Sequence, residues 1–182
     1  KVNSYWIVCG TVAHILSHAG ILVILAKLTD ATTLGQFAFA IAIAQPIVQI
    51  TGLNLRTAHA TDSKIETPFS YILGMRVITS VIAIILISAI ALFTSSSQSA
   101  KLVIVLVGVV RVLESLSDIL YASLQRREIM AGIGYSRAIR ATLSVLFFAA
   151  AIAFTGSLIV AIVALIAARI ATLCAYDLPH VK

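Results

Sequence analysis

The segment Phe69–Phe93, FSYILGMRVITSVIAIILISAIALF, decides the fold class of this chain. It runs for 25 residues, and Arg76 is its one charged residue. A bilayer core of ~30 Å needs about 20 mostly apolar helical residues to cross it. The segment is therefore long and apolar enough to form a transmembrane helix.

The composition of the whole chain agrees with a membrane protein. The 182 residues are 60% hydrophobic and only 11% charged, whereas a soluble domain is about 25% charged. This composition excludes a water-soluble globular domain, a disordered segment and a fibrous repeat. The cysteines Cys9 and Cys174 lie far apart in apolar runs, so the sequence indicates neither a disulfide framework nor a cysteine-rich metal site.

Five further segments have the length and composition of membrane spans. The predicted set is Ser4–Ala26, Gly35–Leu55, Phe69–Phe93, Leu102–Leu124, Tyr135–Thr155 and Ser157–Leu178. A hairpin is expected at Thr155-Gly156-Ser157, because one helix from Tyr135 to Ala168 would be ~51 Å long. The predicted fold class is an all-α polytopic membrane protein with six transmembrane helices in a single transmembrane domain.

The distribution of Lys and Arg near the span ends predicts the orientation. Lys27 and Lys101 lie on one side, and eight basic residues lie on the other: Lys1, Arg56, Lys64, Arg126, Arg127, Arg137, Arg140 and Lys182. This excess predicts that both termini are cytoplasmic, and it accounts for the net charge of +6 without a nucleic-acid partner. Because the chain begins with Lys1 and ends just after the sixth span, we expect it to be a fragment of a longer protein.

The fourth predicted span carries charges that are costly in lipid. Arg111, Glu114 and Asp118 continue into Tyr121 and Gln125 at alternating spacings of three and four, which places all five on one face of a helix. A lipid-facing charge at mid-membrane costs at least ~2.5–3.5 kcal/mol. This polar stripe therefore predicts that the fourth span faces the protein interior.

Other spans add basic groups to this interior. Arg76, Arg140 and Arg169 join Arg111, which gives four arginines against the carboxylates of the stripe and a surplus of two positive charges. Arginine keeps its charge when buried, and its planar fork suits phosphate oxygens. The functional hypothesis is a cationic vestibule, open to the inner leaflet, that binds an anionic headgroup through these four arginines. The structural alternative is that Arg111 pairs with Glu114, and Asp118 with Arg76 or Arg169.

The candidates for ion or proton coupling are Glu114, Asp118 and His18. His18 lies four residues after His14, a spacing that suits a metal or a proton relay. No third ligand of suitable spacing is visible, and a hydrogen-bonded histidine pair at a helix interface is the simpler interpretation. Neither a nucleophile–base pair nor a paired-carboxylate site stands out, so we expect no enzymatic activity, no cofactor and no metal.

Two stretches resemble bacterial polysaccharide flippases. In Leu28–Asp62 the resemblance is carried by Leu34, Gly35 and Phe37, then by Asn54-Leu55-Arg56 and Ala60-Thr61-Asp62. In Arg111–Arg140 it is carried by Glu114-Ser115, Ser117-Asp118, Tyr121, Gln125, Glu128, Met130, Ser136 and Arg140. Together the stretches cover roughly a third of the chain.

The resemblance implies the oligosaccharide-flippase branch of the superfamily that also contains multidrug-and-toxin extruders. Such proteins usually have two lobes around a central cavity. This chain would be the N-terminal lobe, working with a C-terminal lobe or a second copy. Its substrate would be an undecaprenyl-diphosphate-linked oligosaccharide, moved across the bacterial inner membrane for O-antigen, capsule or exopolysaccharide synthesis. A polysaccharide polymerase is a further implied partner, and the cavity arginines would be Arg76, Arg111, Arg140 and Arg169.

Three alternatives remain at this stage. A drug or cation antiporter of the same superfamily would favour a cavity with carboxylates that lack basic partners. A membrane-embedded transferase acting on a polyprenyl phosphate would need acidic clusters in its loops, and Asp62 and Glu66 have nothing nearby in the sequence to support them. A non-transporting membrane subunit would only dock onto a polysaccharide assembly complex.

Overall fold

The structure, a computed structural model, describes residues 2–52, 69–94, 97–126 and 130–177. Within these ranges the chain forms helices and no β-strand, which confirms the all-α prediction. The helices are α1 (Val2–Leu28), α2 (Ala31–Thr51), α3 (Phe69–Thr94), α4 (Gln98–Arg126), α5 (Met130–Thr155) and α6 (Leu158–Thr172), and a π-helical turn (Leu173–Asp177) follows α6. A helix overlaps each of the six predicted spans within the described residues.

Five of the described helices are long and apolar enough to cross a membrane: α1, α2, α3, α5, and α6 together with its π turn. The chain is therefore a multi-pass membrane protein. The large apolar side chains that α3 exposes, among them Ile78, Ile85 and Phe93, are those expected of a face in contact with lipid.

Helix α4 is the exception, because it carries too many charged residues to count as a helix apolar enough to cross a membrane. It is instead enclosed by protein, since no residue between Val103 and Gln125 is exposed. A charged helix avoids the cost of lipid contact in this way. The burial of α4 agrees with the sequence prediction that the fourth span faces the protein interior.

The break between α5 and α6 lies where the sequence predicts it. Helix α5 ends at Thr155, Gly156 has φ of 64°, and Ser157 is extended before α6 begins at Leu158. A residue with a Cβ is strained at positive φ, so glycine suits this turn. The Thr155 hydroxyl accepts a hydrogen bond from the Ser157 backbone N–H at 3.2 Å.

The chain divides into two compact units. Unit 1 combines Lys1–Leu34 with Leu124–Lys182, and it contains α1, α5 and α6. Unit 2 is Gly35–Ser123, and it contains α3 with most of α2 and α4. The single transmembrane domain expected from the sequence stays a prediction.

In unit 1, α1 packs along α5 through glycine, and α5 packs on α6. A Cβ added to Gly134 would clash with the carbonyl oxygen of Trp6, and one added to Gly10 would lie 2.8 Å from the Cα of Gly134. The two backbones are thus in contact, as small residues permit between membrane helices. The rings of Trp6 and Tyr135 stack beside this crossing, with centroids 4.7 Å apart.

Unit 2 uses the same principle with different residues. The buried positions of α2 are Phe37, Ala40, Ala44 and Val48, which recur every three or four residues along one face. Between α3 and α4, a Cβ added to Gly108 would lie 3.0 Å from the Ile87 side chain. The missing side chain of Gly108 therefore brings α3 and α4 close together.

The Gly134→Ala variant tests the α1–α5 crossing. We expect the free energy of unfolding to fall by about 2 kcal/mol, because the new methyl group must displace the α1 backbone. Unfolding in mixed micelles can be followed by the fluorescence of Trp6, the single tryptophan of the chain. Gly74→Ala is the matched control, since a Cβ there meets no atom within 4 Å. Equal stability of the two variants would contradict a tight crossing.

Candidate functional site

The structure divides the predicted site residues between the two units. Unit 2 holds Arg76, Arg111, Glu114 and Asp118, and unit 1 holds His18, Arg140 and Arg169.

Arg111 and Glu114 form an ion pair on α4. The Arg111 Nη1 donates to Glu114 Oε2 at 2.7 Å, and both side chains are 12% exposed. Their spacing of three residues places them one turn apart on the same face. This geometry agrees with the alternative to substrate binding, in which Arg111 serves as the ion-pair partner of Glu114.

Arg76 connects α3 to two other helices of unit 2. Its Nε donates to the Ser115 carbonyl oxygen of α4 at 3.3 Å, and its charge interacts favourably with that of Asp118. A Cβ added to Gly52 would lie 2.5 Å from the Arg76 Nη1. The guanidinium therefore lies against the carboxyl end of α2, where the helix dipole favours a positive charge.

This part of unit 2 contains two arginines and two carboxylates. Arg111 pairs with Glu114, and the charge of Asp118 favours that of Arg76. We call these four residues the α4 ion-pair cluster. Its charges favour a network that holds α2, α3 and α4 together in place of a strongly cationic pocket.

Three charged residues of unit 1 are almost fully buried. Arg140 on α5 is 3% exposed, Arg169 on α6 is 2% exposed, and Asp177 in the π turn is 1% exposed. The hydroxyl of Ser136, which is also fully buried, donates a hydrogen bond to the Asp177 carboxylate. We call Ser136, Arg140, Arg169 and Asp177 the Asp177 cluster.

The π turn explains how Asp177 comes to be buried. The buried positions of α6 recur every three or four residues as far as Thr172, and the next buried residue is Asp177, five positions later: Leu158, Ala161, Ile162, Leu165, Ala168, Arg169, Thr172 and Asp177. In a continuous α-helix, Tyr176 would occupy this face. The wider turn accommodates one extra residue, so Asp177 takes that place.

Sequence reasoning missed Asp177. A count of four arginines against two carboxylates omits it, and the predicted surplus of two positive charges stays a prediction. Asp177 follows Arg169 by eight residues, which in an α-helix places the two side chains about 80° apart. The one feature of the sequence that could have indicated Asp177 is its position as an acidic residue at the end of an apolar span. Regular α-helical spacing, however, places no basic residue of that span on the same face as Asp177.

Arg137 also has a structural role that the sequence did not indicate. Its Nη1 donates to the hydroxyl of Thr11 at 2.7 Å, which joins α5 to α1 inside unit 1. On α1 itself, the rings of His14 and His18 meet edge to face with centroids 4.6 Å apart. The Ser17 hydroxyl donates to the His14 carbonyl oxygen at 2.8 Å. A coupling role for His18 stays a prediction.

Several residues used in the sequence predictions lie outside the described ranges. They include Asn54–Asp62, which is the C-terminal part of the first stretch that resembles flippases, and the residues Glu66 and Glu128. Five of the basic residues that predict the orientation also lie there: Lys1, Arg56, Lys64, Arg127 and Lys182.

Comparisons of the chain with protein-family models, with curated proteins and with solved structures find no match. The class of protein is defined by the fold and the site together: a multi-pass α-helical membrane protein with ionised side chains buried among its helices. The resemblance to polysaccharide flippases rests on the residues quoted for it.

A double-mutant cycle tests the Arg111–Glu114 pair. We expect Glu114→Gln to lower the free energy of unfolding by about 1–3 kcal/mol, because it leaves the Arg111 charge without its carboxylate. Arg111→Gln in the same background should recover part of the loss. Chemical unfolding of the four proteins in detergent gives the coupling energy. Additive effects would show that the pair contributes no coupling.

Proposed function

We propose that this chain takes part in moving an undecaprenyl-diphosphate-linked oligosaccharide across the bacterial cytoplasmic membrane. The observation that carries the proposal is the burial of Arg140 and Arg169 inside helices apolar enough to cross a membrane. The residues that resemble polysaccharide flippases, Arg140 among them, support the same substrate class.

The chemistry of arginine is the reason for choosing an anionic substrate. Guanidinium groups stay ionised at any physiological pH, and they bind phosphate oxygens through paired hydrogen bonds. Arg140 and Arg169 of unit 1 are both almost fully buried. A diphosphate offers the acceptor oxygens that such guanidinium groups bind.

The α4 ion-pair cluster argues against the cation-antiporter alternative. An antiporter for a cationic drug needs a carboxylate that can bind the drug. Here Glu114 is held by Arg111 and Asp118 interacts with Arg76. The cluster suits a second task in a flippase, which is to hold α2, α3 and α4 in one arrangement and re-form in another.

The proposed mechanism is alternating access. The diphosphate headgroup binds the arginines while the polyprenyl tail stays in lipid between helices, and rocking of one lobe against another exposes the headgroup on the opposite side. The second lobe would be a C-terminal part of a longer protein or a second copy. Glu114, Asp118 and His18 are the candidates for coupling to an ion or proton gradient. A cytoplasmic position of both termini belongs to the same proposal.

Transport by the full natural chain in proteoliposomes tests the proposal. We expect Arg140→Gln and Arg169→Gln each to lower the translocation rate of an undecaprenyl-diphosphate oligosaccharide about ten-fold or more, because a charged hydrogen-bond donor is lost. Arg140→Lys should retain part of the rate, since it keeps the charge without the fork. The measurement is the fraction of labelled headgroup that becomes accessible to an external glycosidase.

Lys27→Gln is the charge-matched control, because Lys27 is exposed at the end of α1. Its rate should stay within about two-fold of the wild type. Thermal unfolding of each variant in detergent identifies any loss of fold. Full transport by a folded Arg140→Gln protein would contradict the proposed binding role. Absence of transport by the wild-type protein would favour a non-transporting subunit.

A further inference from the structure

We infer that His14 and His18 of α1 form a binding site for a divalent transition-metal ion of the zinc and copper class. The inference lies outside the proposed function and does not depend on it. It also departs from the expectation that the chain binds no metal. Both residues belong to unit 1, and their spacing, the geometry of their rings and their depth in the span carry the inference.

The spacing places both imidazoles on one face of α1. The two residues are four apart in a helix that runs from Val2 to Leu28, so their Cβ atoms lie about 5–6 Å apart. The same spacing occurs in helical zinc sites in which two histidines bind one ion. The backbone of α1 therefore holds two metal ligands side by side.

The rings stand at the separation that a shared ion requires. Their centroids are 4.6 Å apart at an interplanar angle of 85°, and a nitrogen of one ring lies within 4.8 Å of a nitrogen of the other. A zinc ion lies about 2.0–2.1 Å from each nitrogen, and hence about 3.2 Å from each ring centre. Two imidazoles at about 90–110° around one ion would have centroids about 4.5–5.2 Å apart. The observed separation lies in this range, so rotation of the rings can direct one nitrogen of each at the same ion.

Metal binding leaves each histidine a second nitrogen for hydrogen bonding. An imidazole has two ring nitrogens, and a metal-bound histidine almost always donates the N–H of the other nitrogen to a carboxylate, a carbonyl oxygen or water. Other polar interactions of His14 and His18 are therefore compatible with the site. Both residues are partly exposed, which gives an ion access to them.

The depth of the pair indicates a function. The apolar span of α1 begins at Tyr5, so His14 and His18 lie about 14 Å and 20 Å along it at 1.5 Å per residue. In a hydrocarbon core of about 30 Å this is the middle of the membrane. Ionisable side chains at that depth are costly in lipid, and they mark binding sites and ion pathways.

The type of ligand selects the metal. Neutral imidazole suits zinc, copper and nickel, whereas calcium and magnesium prefer oxygen ligands. Two protein ligands leave further coordination positions, which water or other oxygen ligands fill. Structural zinc sites are closed by four protein ligands. We therefore expect an ion at this pair to exchange with the solution.

Metal binding by the full chain in nanodiscs tests the site, with a protein that carries no polyhistidine tag. The probes are Zn²⁺ alone, titrated by calorimetry, and Cu²⁺ alone, observed by electron paramagnetic resonance. We expect one ion per chain, with the nitrogens of two imidazoles coupled to the electron spin of Cu²⁺. His14→Gln and His18→Gln should each raise the Kd for Zn²⁺ about ten-fold or more, because each removes one of the two ligands.

A variant with a shifted histidine is the matched control. His18→Ala combined with Ala19→His keeps four histidines in the chain, but it places the pair five residues apart and about 140° around the helix. It should lose Zn²⁺ binding as fully as His18→Gln does. His59→Gln and His180→Gln remove the other two histidines of the sequence, and they should leave the Kd within about two-fold of the wild type.

Circular dichroism and unfolding in detergent identify any variant that fails to fold, and the remaining variants of the pair then decide the question. Zn²⁺ binding that persists in folded His14→Gln or in the shifted variant would overturn the inference. Absence of binding by the wild type would overturn it as well. A Cu²⁺ spectrum with one imidazole or none would assign the ion to an adventitious site elsewhere in the chain, and it too would contradict the pair.

Discussion

An ionised side chain in a low-dielectric environment requires a partner, and the arrangement of this protein follows from that requirement. Arg111 forms an ion pair with Glu114. Arg76 donates a hydrogen bond to the Ser115 carbonyl oxygen and interacts with the charge of Asp118. Asp177 accepts a hydrogen bond from Ser136. Within unit 2, Arg76 joins α3 to α4 and lies against the end of α2, whereas the Arg111–Glu114 pair lies within α4. The charges therefore determine which helices can face lipid and which must be enclosed.

The same requirement separates the two groups of charges by their chemistry. The α4 ion-pair cluster combines two arginines with two carboxylates, and the side chains of its Arg111–Glu114 pair are 12% exposed. In unit 1, Arg140, Arg169 and Asp177 are each at most 3% exposed, and Asp177 lies in the π turn that follows α6.

Helix packing supplies the complementary constraint. The backbones of α1 and α5 meet at Gly10 and Gly134, which fixes the helix that carries both Ser136 and Arg140. Arg137 strengthens the same crossing through Thr11. In membranes the hydrophobic effect hardly distinguishes helix–helix contact from helix–lipid contact. Close backbone contact and hydrogen bonds therefore decide which helices associate.

The sequence by itself determined the helices, the break at Gly156 and the enclosed nature of α4, because span length, glycine and a polar stripe are local properties. It also indicated Arg140 and Arg169 as candidate substrate-binding residues, which stays a prediction. Only the tertiary structure decided that Asp177 is buried and bonded to Ser136. Asp177 reaches the buried face through a π turn that α-helical periodicity does not reveal, and its hydrogen-bond donor, Ser136, lies 41 residues away. Pairing at that distance depends on how α5 and α6 pack, which no local pattern encodes.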